Sequence, residues 1–196
     1  MTILFISCFL LPLFTLAVAA GGWPFVTVWP LFSGNFSVTA SDPAGRLLLI
    51  AWAVFAGIFF RFLIRRIIGQ AASLLAAKRE LVLTDCAVLL LCTAVLLPYC
   101  PQENYLSAAL HVVFALCASV LYFLILLSLD LKLYFLSPAR FAGPMAALFY
   151  SIFAAAALFI LSDFLISTAL EIFVVLFSDL LLLTLFKKVC ADPSLS

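Results

Sequence analysis

Charged residues are scarce in this chain. Only 10% of its 196 residues are Asp, Glu, Lys or Arg, whereas a soluble globular domain has about 25%. The formal net charge is +1, so no strongly basic surface indicates a nucleic-acid partner. These two absences exclude an ordinary soluble domain and argue against a protein that binds DNA or RNA.

The residues of most catalytic and metal-binding motifs are also missing. A single histidine, His111, cannot build a three-histidine zinc site or the histidine clusters of di-iron membrane enzymes. The six cysteines follow no C-x-x-C or zinc-like spacing, and no phosphate loop, G-x-S-x-G or H-E-x-x-H motif occurs. We therefore expect no metal and no cofactor. An enzyme is disfavoured, and His111 acting as a general base in acyl or proton transfer remains the open alternative.

Long hydrophobic runs are what the chain does have, since 68% of its residues are hydrophobic. A helix rises ~1.5 Å per residue and needs roughly 20 apolar residues to cross the ~30 Å hydrocarbon core. Six runs approach or exceed that length: 3–20, 47–64, 81–97, 106–129, 141–161 and 164–186. The sequence therefore predicts an all-α, polytopic integral membrane protein, with residues 1–196 forming one bundle of six transmembrane helices.

The first run and the loop after it carry two processing signals. The small residues Ala17–Ala20 resemble a signal-peptidase site, but no Lys or Arg precedes the run, which favours a first span that is retained. The following loop contains Asn35-Phe36-Ser37, an N-glycosylation sequon. Asn35 is an acceptor only if the host is eukaryotic and this loop is lumenal.

The distribution of Lys and Arg predicts the orientation, because cytoplasmic loops are enriched in both. Only Arg46 falls in the loops on the side of the first loop, and the other nine fall on the opposite side: Arg61, Arg65, Arg66, Lys78, Arg79, Lys132, Arg140, Lys187 and Lys188. Both termini are therefore predicted to be cytoplasmic. Short loops and a short tail make a bacterial plasma membrane the default location.

Glu171 and Asp179 lie inside the last hydrophobic run. A lone charge at the centre of the membrane costs roughly 2.5–3.5 kcal/mol, so each carboxylate needs a partner, a proton or a water-filled cavity. Eight residues turn a helix by ~800°, which places the two side chains on neighbouring faces two turns apart. Both can therefore face the interior of one bundle.

Depth along the spans groups the buried ionisable residues into two layers. His111 and Glu171 each lie roughly 8–10 Å from the outer ends of their runs, whereas three others lie roughly 6–12 Å from the inner ends: Arg61, Asp85 and Asp179. These five residues form a candidate intramembrane polar site. The alternative interpretation is a set of satisfied pairs that fixes the register of the helices.

Short motifs occur in three of the hydrophobic runs. The fourth run opens with His111 and Val112-Val113-Phe114-Ala115, with Tyr122 later; the last run contains 167–173 and 183–187, and Arg61-Phe62 lies at the end of the second run. In these motifs the chain, chiefly its second half, resembles the Frag1/DRAM/Sfk1 group of six-span membrane proteins. The resemblance implies six spans with both ends inside, site residues His111 and Glu171, and a role in lipid remodelling or distribution.

We interpret the chain as a membrane protein that handles or senses a lipid through a small polar site, with membrane lipids and other membrane subunits as partners. The first alternative is a small-molecule or ion-binding subunit of a transporter, which predicts a polar pocket open to the outer face, with Trp23, Trp29 or the first loop as its lid. The second is a structural accessory subunit of a membrane complex, which predicts that every buried polar side chain has a partner.

Overall fold

The computed structural model describes residues 2–20, 31–32, 34–39, 43–71 and 78–191. Within these ranges every regular element is helical and no β-strand occurs, so the predicted all-α fold class is confirmed. Trp23 and Trp29, the predicted lid of a transport pocket, lie outside the described residues.

The N-terminal segment is a continuous helical run with one change of geometry. Helix α1 (Thr2–Phe5) passes into a π-helical turn (Ile6–Leu10) and then into α2 (Leu11–Ala20). A short helix α3 (Phe36–Thr39) precedes five long ones: α4 (Pro43–Gln70), α5 (Lys78–Leu96), α6 (Tyr105–Leu136), α7 (Pro138–Leu161) and α8 (Thr168–Cys190).

Five of these segments are long and apolar enough to cross a membrane. They are Thr2–Ala20, Ala44–Gln70, α6, α7 and α8, with mean hydropathies between 2.1 and 2.7. The chain therefore has the helices of a multi-pass membrane protein. Helix α5 coincides with the predicted third span but carries Lys78, Arg79, Glu80 and Asp85 in its 19 residues. It is not among the five, so the count of six spans stays a prediction.

The last helix begins later than the hydrophobic pattern predicts. The run starts at Phe164, but Asp163 and Phe164 have positive φ angles of 53° and 62°, a left-handed conformation that ends the preceding helix. Ser167 then caps α8, its side chain accepting a hydrogen bond from the N–H of Leu170 at 3.4 Å. Glu171 therefore lies in the first turn of α8 and not deep in a span.

Helix α4 is the centre of the bundle. It contacts the N-terminal segment, α3, α5 and α8, while α6 packs against α5 and α7, and α7 packs against α8. Helices α4 and α5 approach closely because Gly57 has no side chain, and a Cβ there would lie 2.9 Å from a methyl group of Val88. This arrangement brings α2, α3, α4, α6 and α8 together at the end of the bundle where α8 begins.

Candidate functional site

His111 is buried near the start of α6, with 5% of its surface exposed. Its Nδ1 lies 2.8 Å from the carbonyl oxygen of Ala94 and 3.0 Å from that of Leu97. Because a carbonyl oxygen only accepts, Nδ1 carries the proton and donates to both. The imidazole thus donates to two carbonyls at the C-terminal end of α5, and the carbonyl of Ala94 also accepts the N–H of Leu97 at 3.0 Å.

The other nitrogen of His111 holds the short helix α3. Nε2 lies 2.7 Å from Oγ of Ser37. Since Nδ1 carries the proton of the neutral ring, Nε2 accepts and the serine hydroxyl donates. Both ring nitrogens are therefore engaged within the protein, which links α6 to α5 on one side and to α3 on the other.

Glu171 accepts a hydrogen bond from Phe36, the residue of α3 that precedes Ser37. The N–H of Phe36, the first residue of α3, donates to Oε2 of Glu171 at 2.7 Å. The first N–H groups of a helix have no acceptor within it, so the carboxylate acts as a cap supplied by a distant helix. One turn earlier, the N–H of Thr168 donates to the carbonyl oxygen of Gly34 at 2.7 Å.

His111 and Glu171 therefore both hydrogen-bond to α3 and do not hydrogen-bond to each other. Phe36 is 4% exposed, and its ring contacts that of Trp52 edge-on at a centroid distance of 5.3 Å. The indole N–H of Trp52 in turn donates to Oγ1 of Thr15 at 3.0 Å. We call the contacts of Gly34, Phe36 and Ser37 with His111, Thr168 and Glu171 the α3 dock.

Sequence reasoning missed the α3 half of this dock. The sequence pattern Asn35-Phe36-Ser37 predicts only a sequon, yet Oδ1 of Asn35 accepts a hydrogen bond from the N–H of Val38 at 2.9 Å. An N-cap asparagine accepts the backbone N–H of the residue three positions later, as Asn35 does here. Because asparagine is a preferred N-cap residue, Asn35 was a signal in the sequence for a helix that begins at Phe36.

Arg61 and Asp85 form a two-point ion pair between α4 and α5. Nη2 of Arg61 donates to Oδ2 of Asp85 at 3.1 Å, and Nε donates to Oδ1. Their side chains are 42% and 49% exposed, so this pair lies on the outer surface of the bundle rather than in its interior.

Asp179 does not join that pair. It is 3% exposed in α8, and its polar neighbours are Ser7 of the π-helical turn and Tyr122 of α6. Oδ1 of Asp179, Oγ of Ser7 and the hydroxyl of Tyr122 are all buried and hydrogen-bond to none of the described residues. We call these three side chains the inner cluster.

A further buried carboxylate was missed at the other end of α5. Glu80 is 3% exposed, and its Oε1 accepts from Oγ of Ser128 and from Nζ of Lys132, each at 2.7 Å. Ser128 and Lys132 lie one turn apart on α6, a spacing that places both on one face. The predicted end of the fourth run at 129 places Lys132 in a loop, whereas α6 continues to Leu136. Asp130, completely buried on the same helix, has no hydrogen-bond partner among the described residues.

A groove opens between α1, α4 and α8, with a volume of about 460 Å³. Its walls are mainly apolar and its polar lining side chains include Arg66 and Lys187; the remaining lining residues are Thr2, Ile3, Leu4, Phe62, Leu183 and Phe186. We call it the inner groove. A second, apolar cavity of about 230 Å³ lies between α6, α7 and α8.

The described part of the chain holds no group of three His, Cys, Asp or Glu side chains that could bind a metal ion. Comparison with family models, with curated proteins and with solved structures finds no match. The functional interpretation therefore rests on the side chains themselves.

Proposed function

We propose that this protein is a six-span membrane protein with both termini in the cytoplasm, and that it handles or senses a lipid by binding it in the inner groove. The lipid is an anionic phospholipid. The groove carries this proposal, because it combines apolar walls with two basic side chains at one end of the bundle.

The pairing of its charges supports α5 as the sixth span. Of its four charged residues, Asp85 is neutralised by Arg61 and Glu80 by Lys132. Lys78 and Arg79 lie in the first turn, at the end that the excess of basic residues assigns to the cytoplasm. The stretch from 81 to 96 then contains one charged residue, and that residue is paired.

The positions of Arg66 and Lys187 support the binding of a phosphate. The guanidinium of Arg66 lies over the ring of Phe62 at 5.1 Å from its centroid, and Lys187 lies in the last turn of α8. Neither forms an ion pair with a carboxylate of the described residues. Basic side chains at a helix end lie at the level of the lipid headgroups, and the apolar wall below them continues into the depth of the acyl chains.

The experiment measures lipid binding by the purified full-length protein in detergent. Short-chain phosphatidylglycerol is titrated against the wild type and against the double variant Arg66→Gln/Lys187→Gln. Each basic residue near an anionic headgroup contributes about 1 kcal/mol, so we expect the affinity to fall about thirtyfold. The matched control is Arg65→Gln/Lys78→Gln, which removes the same charge from exposed residues that do not line the groove.

Three outcomes are informative. Loss of affinity in the groove variant alone supports the proposal. Equal loss in both double variants would mean that the lipid responds only to the net charge of this end of the protein, and unchanged affinity in both would mean that the groove does not bind the lipid. Either of the last two results overturns it.

The resemblance to the lipid-linked Frag1/DRAM/Sfk1 group favours the same function and remains a prediction. An enzyme that uses His111 as a general base is disfavoured, because both ring nitrogens already have partners. A structural accessory subunit is disfavoured by the inner cluster, whose polar atoms are not all matched by neighbours.

A further inference from the structure

The inner groove repeats one pattern on two helices. Arg66 of α4 lines it together with Phe62, four residues earlier in the same helix. Lys187 of α8 lines it together with Leu183, also four residues earlier. Four residues make about one turn, a rise of ~6 Å, so each basic side chain lies above an apolar one on the same helix face. A groove of about 460 Å³ is within the range of ordinary ligand sites, roughly 300–1,000 Å³. It therefore presents two positive charges to one bound molecule.

No carboxylate of the surrounding walls balances these two charges. The segment 2–20 and helix α4 contain no Asp or Glu. The two acidic residues of α8 lie at least eight residues before Lys187, a rise of ~12 Å. The other titratable group close to Arg66 is the thiol of Cys190, which lies near enough to interact with the charge of the guanidinium. The lining residues of the groove thus carry a net charge of two positive units.

The two cations are different kinds of hydrogen-bond donor. Because the guanidinium of Arg66 lies over the ring of Phe62, the N–H groups along its edge remain available to a ligand. An arginine edge can bind two oxygens of one phosphate, whereas a lysine ammonium binds as a compact point charge. Arg66 and Lys187 together can therefore engage three oxygens of one phosphate group.

Phosphate headgroups differ in the charge and in the number of oxygens that they present. A phosphate monoester has three terminal oxygens and a charge of about −1.5 to −2 at pH 7, with a second pKa of about 6. A phosphate diester, as in phosphatidylglycerol, has two terminal oxygens and one negative charge. The donors of Arg66 and Lys187 match the monoester in both respects, and a diester would leave one positive charge of the groove unbalanced.

We propose that the inner groove selects phosphatidic acid, whose headgroup is a phosphate monoester, over phospholipids whose phosphate is a diester. This inference rests on the proposed function, because it specifies which anionic lipid the groove binds. Arg66 binds two oxygens of the phosphate and Lys187 binds the third. The acyl chains lie along the apolar wall to which Phe62 and Leu183 contribute.

The test compares two lipids that have the same acyl chains. Dioctanoyl phosphatidic acid and dioctanoyl phosphatidylglycerol are titrated against the purified full-length protein in detergent, at pH 7.5 and constant ionic strength. We expect phosphatidic acid to bind about tenfold more tightly, since it makes one more charge-assisted hydrogen bond. At pH 5 the monoester carries about one charge, so this preference should fall to about twofold or less.

Two neighbouring lysines provide a matched pair of variants. Lys187→Gln removes the ligand of the third oxygen, so the preference at pH 7.5 should fall to about twofold. Lys188→Gln removes the same charge one residue later and should keep the preference of about tenfold, because Lys188 does not line the groove and its Nζ donates to the carbonyl oxygen of Arg140 at 2.9 Å. Cys190→Ser should keep both the preference and its dependence on pH, since the thiol does not line the groove.

The outcomes separate this inference from the proposed function. Equal affinity for the two lipids, lost in Arg66→Gln/Lys187→Gln, would overturn the selectivity and leave lipid binding in the groove intact. Binding of neither lipid, or binding that this double variant does not weaken, would overturn both. A preference that persists in Lys187→Gln, or that is lost equally in Lys188→Gln, would overturn the assignment of the selectivity to the groove. Glycerol 3-phosphate that binds as tightly as phosphatidic acid would overturn it too, since the apolar wall would then contribute nothing.

Discussion

Glu171 and Asp179 are two acidic residues two turns apart on α8, and their surroundings differ completely. Glu171 accepts the N–H of Phe36 at 2.7 Å in the α3 dock, where the neighbouring His111 also uses both ring nitrogens. Oδ1 of Asp179 has no hydrogen-bond partner among the described residues, and neither have the hydroxyls of its neighbours Ser7 and Tyr122.

The difference separates two uses of a buried carboxylate. In the α3 dock the polar groups satisfy one another and join α3, α5, α6 and α8, so their removal should cost stability. In the inner cluster these polar atoms have no hydrogen-bond partner among the described residues, so their removal should cost little stability. The five candidate residues named from the sequence therefore do not form one site.

Glu171→Ala should have the largest effect on stability. It leaves the N–H of Phe36 buried without an acceptor, and we expect a loss of about 2–3 kcal/mol, measured as a lower Tm. Glu171→Gln keeps an oxygen that can accept the N–H, so it should lose markedly less.

Asp179→Asn is the comparison for that experiment. It should change stability by less than about 1 kcal/mol, because Oδ1 of Asp179 has no hydrogen bond to lose. If Asp179→Asn unfolds the protein while Glu171→Ala is tolerated, the assignment of the structural role to Glu171 rather than to Asp179 is wrong.

His111→Ala should have the second-largest effect on stability. It removes the hydrogen bonds to Ala94, Leu97 and Ser37, and we expect a loss of about 2 kcal/mol, whereas Ser37→Ala removes only the last of these and should lose about 1 kcal/mol. Amide hydrogen exchange of Val38 should become faster in both variants, since α3 is less firmly held. Ser119→Ala, on the same helix, should leave that exchange unchanged; if it does not, the effect of His111 is not specific to the dock.

Hydrophobic length alone predicted the helices, because a long apolar run has few alternatives in a membrane. The start of α8 was missed because Phe164, Leu165 and Ile166 are apolar but not helical, and are 68%, 55% and 48% exposed. Apolar pattern carries no information about the left-handed residues that end α7 or about the Ser167 cap, which are set by backbone geometry.

The sequence predicted which ionisable residues belong to the candidate site, but not which groups they contact. A charge in an apolar run identifies Glu171, His111 and Asp179 on energetic grounds. Glu171 and His111 contact a backbone N–H of Phe36 and the hydroxyl of Ser37, 135 and 74 positions away, and such groups are too common in a sequence to stand out. Glu80 was missed because, next to Lys78 and Arg79, it resembles a solvated helix end.

The prediction with the smallest expected effect tests which acidic residue forms an ion pair with Arg61. A double-mutant cycle of Arg61→Gln and Asp85→Asn should give a coupling of about 0.5–1 kcal/mol, since both side chains are 42–49% exposed and such pairs contribute little. The cycle of Arg61→Gln with Asp179→Asn should give none. A larger coupling of Arg61 to Asp179 than to Asp85 would mean that Asp179 already has its positive partner within the bundle, and the distinction between the α3 dock and the inner cluster would fail.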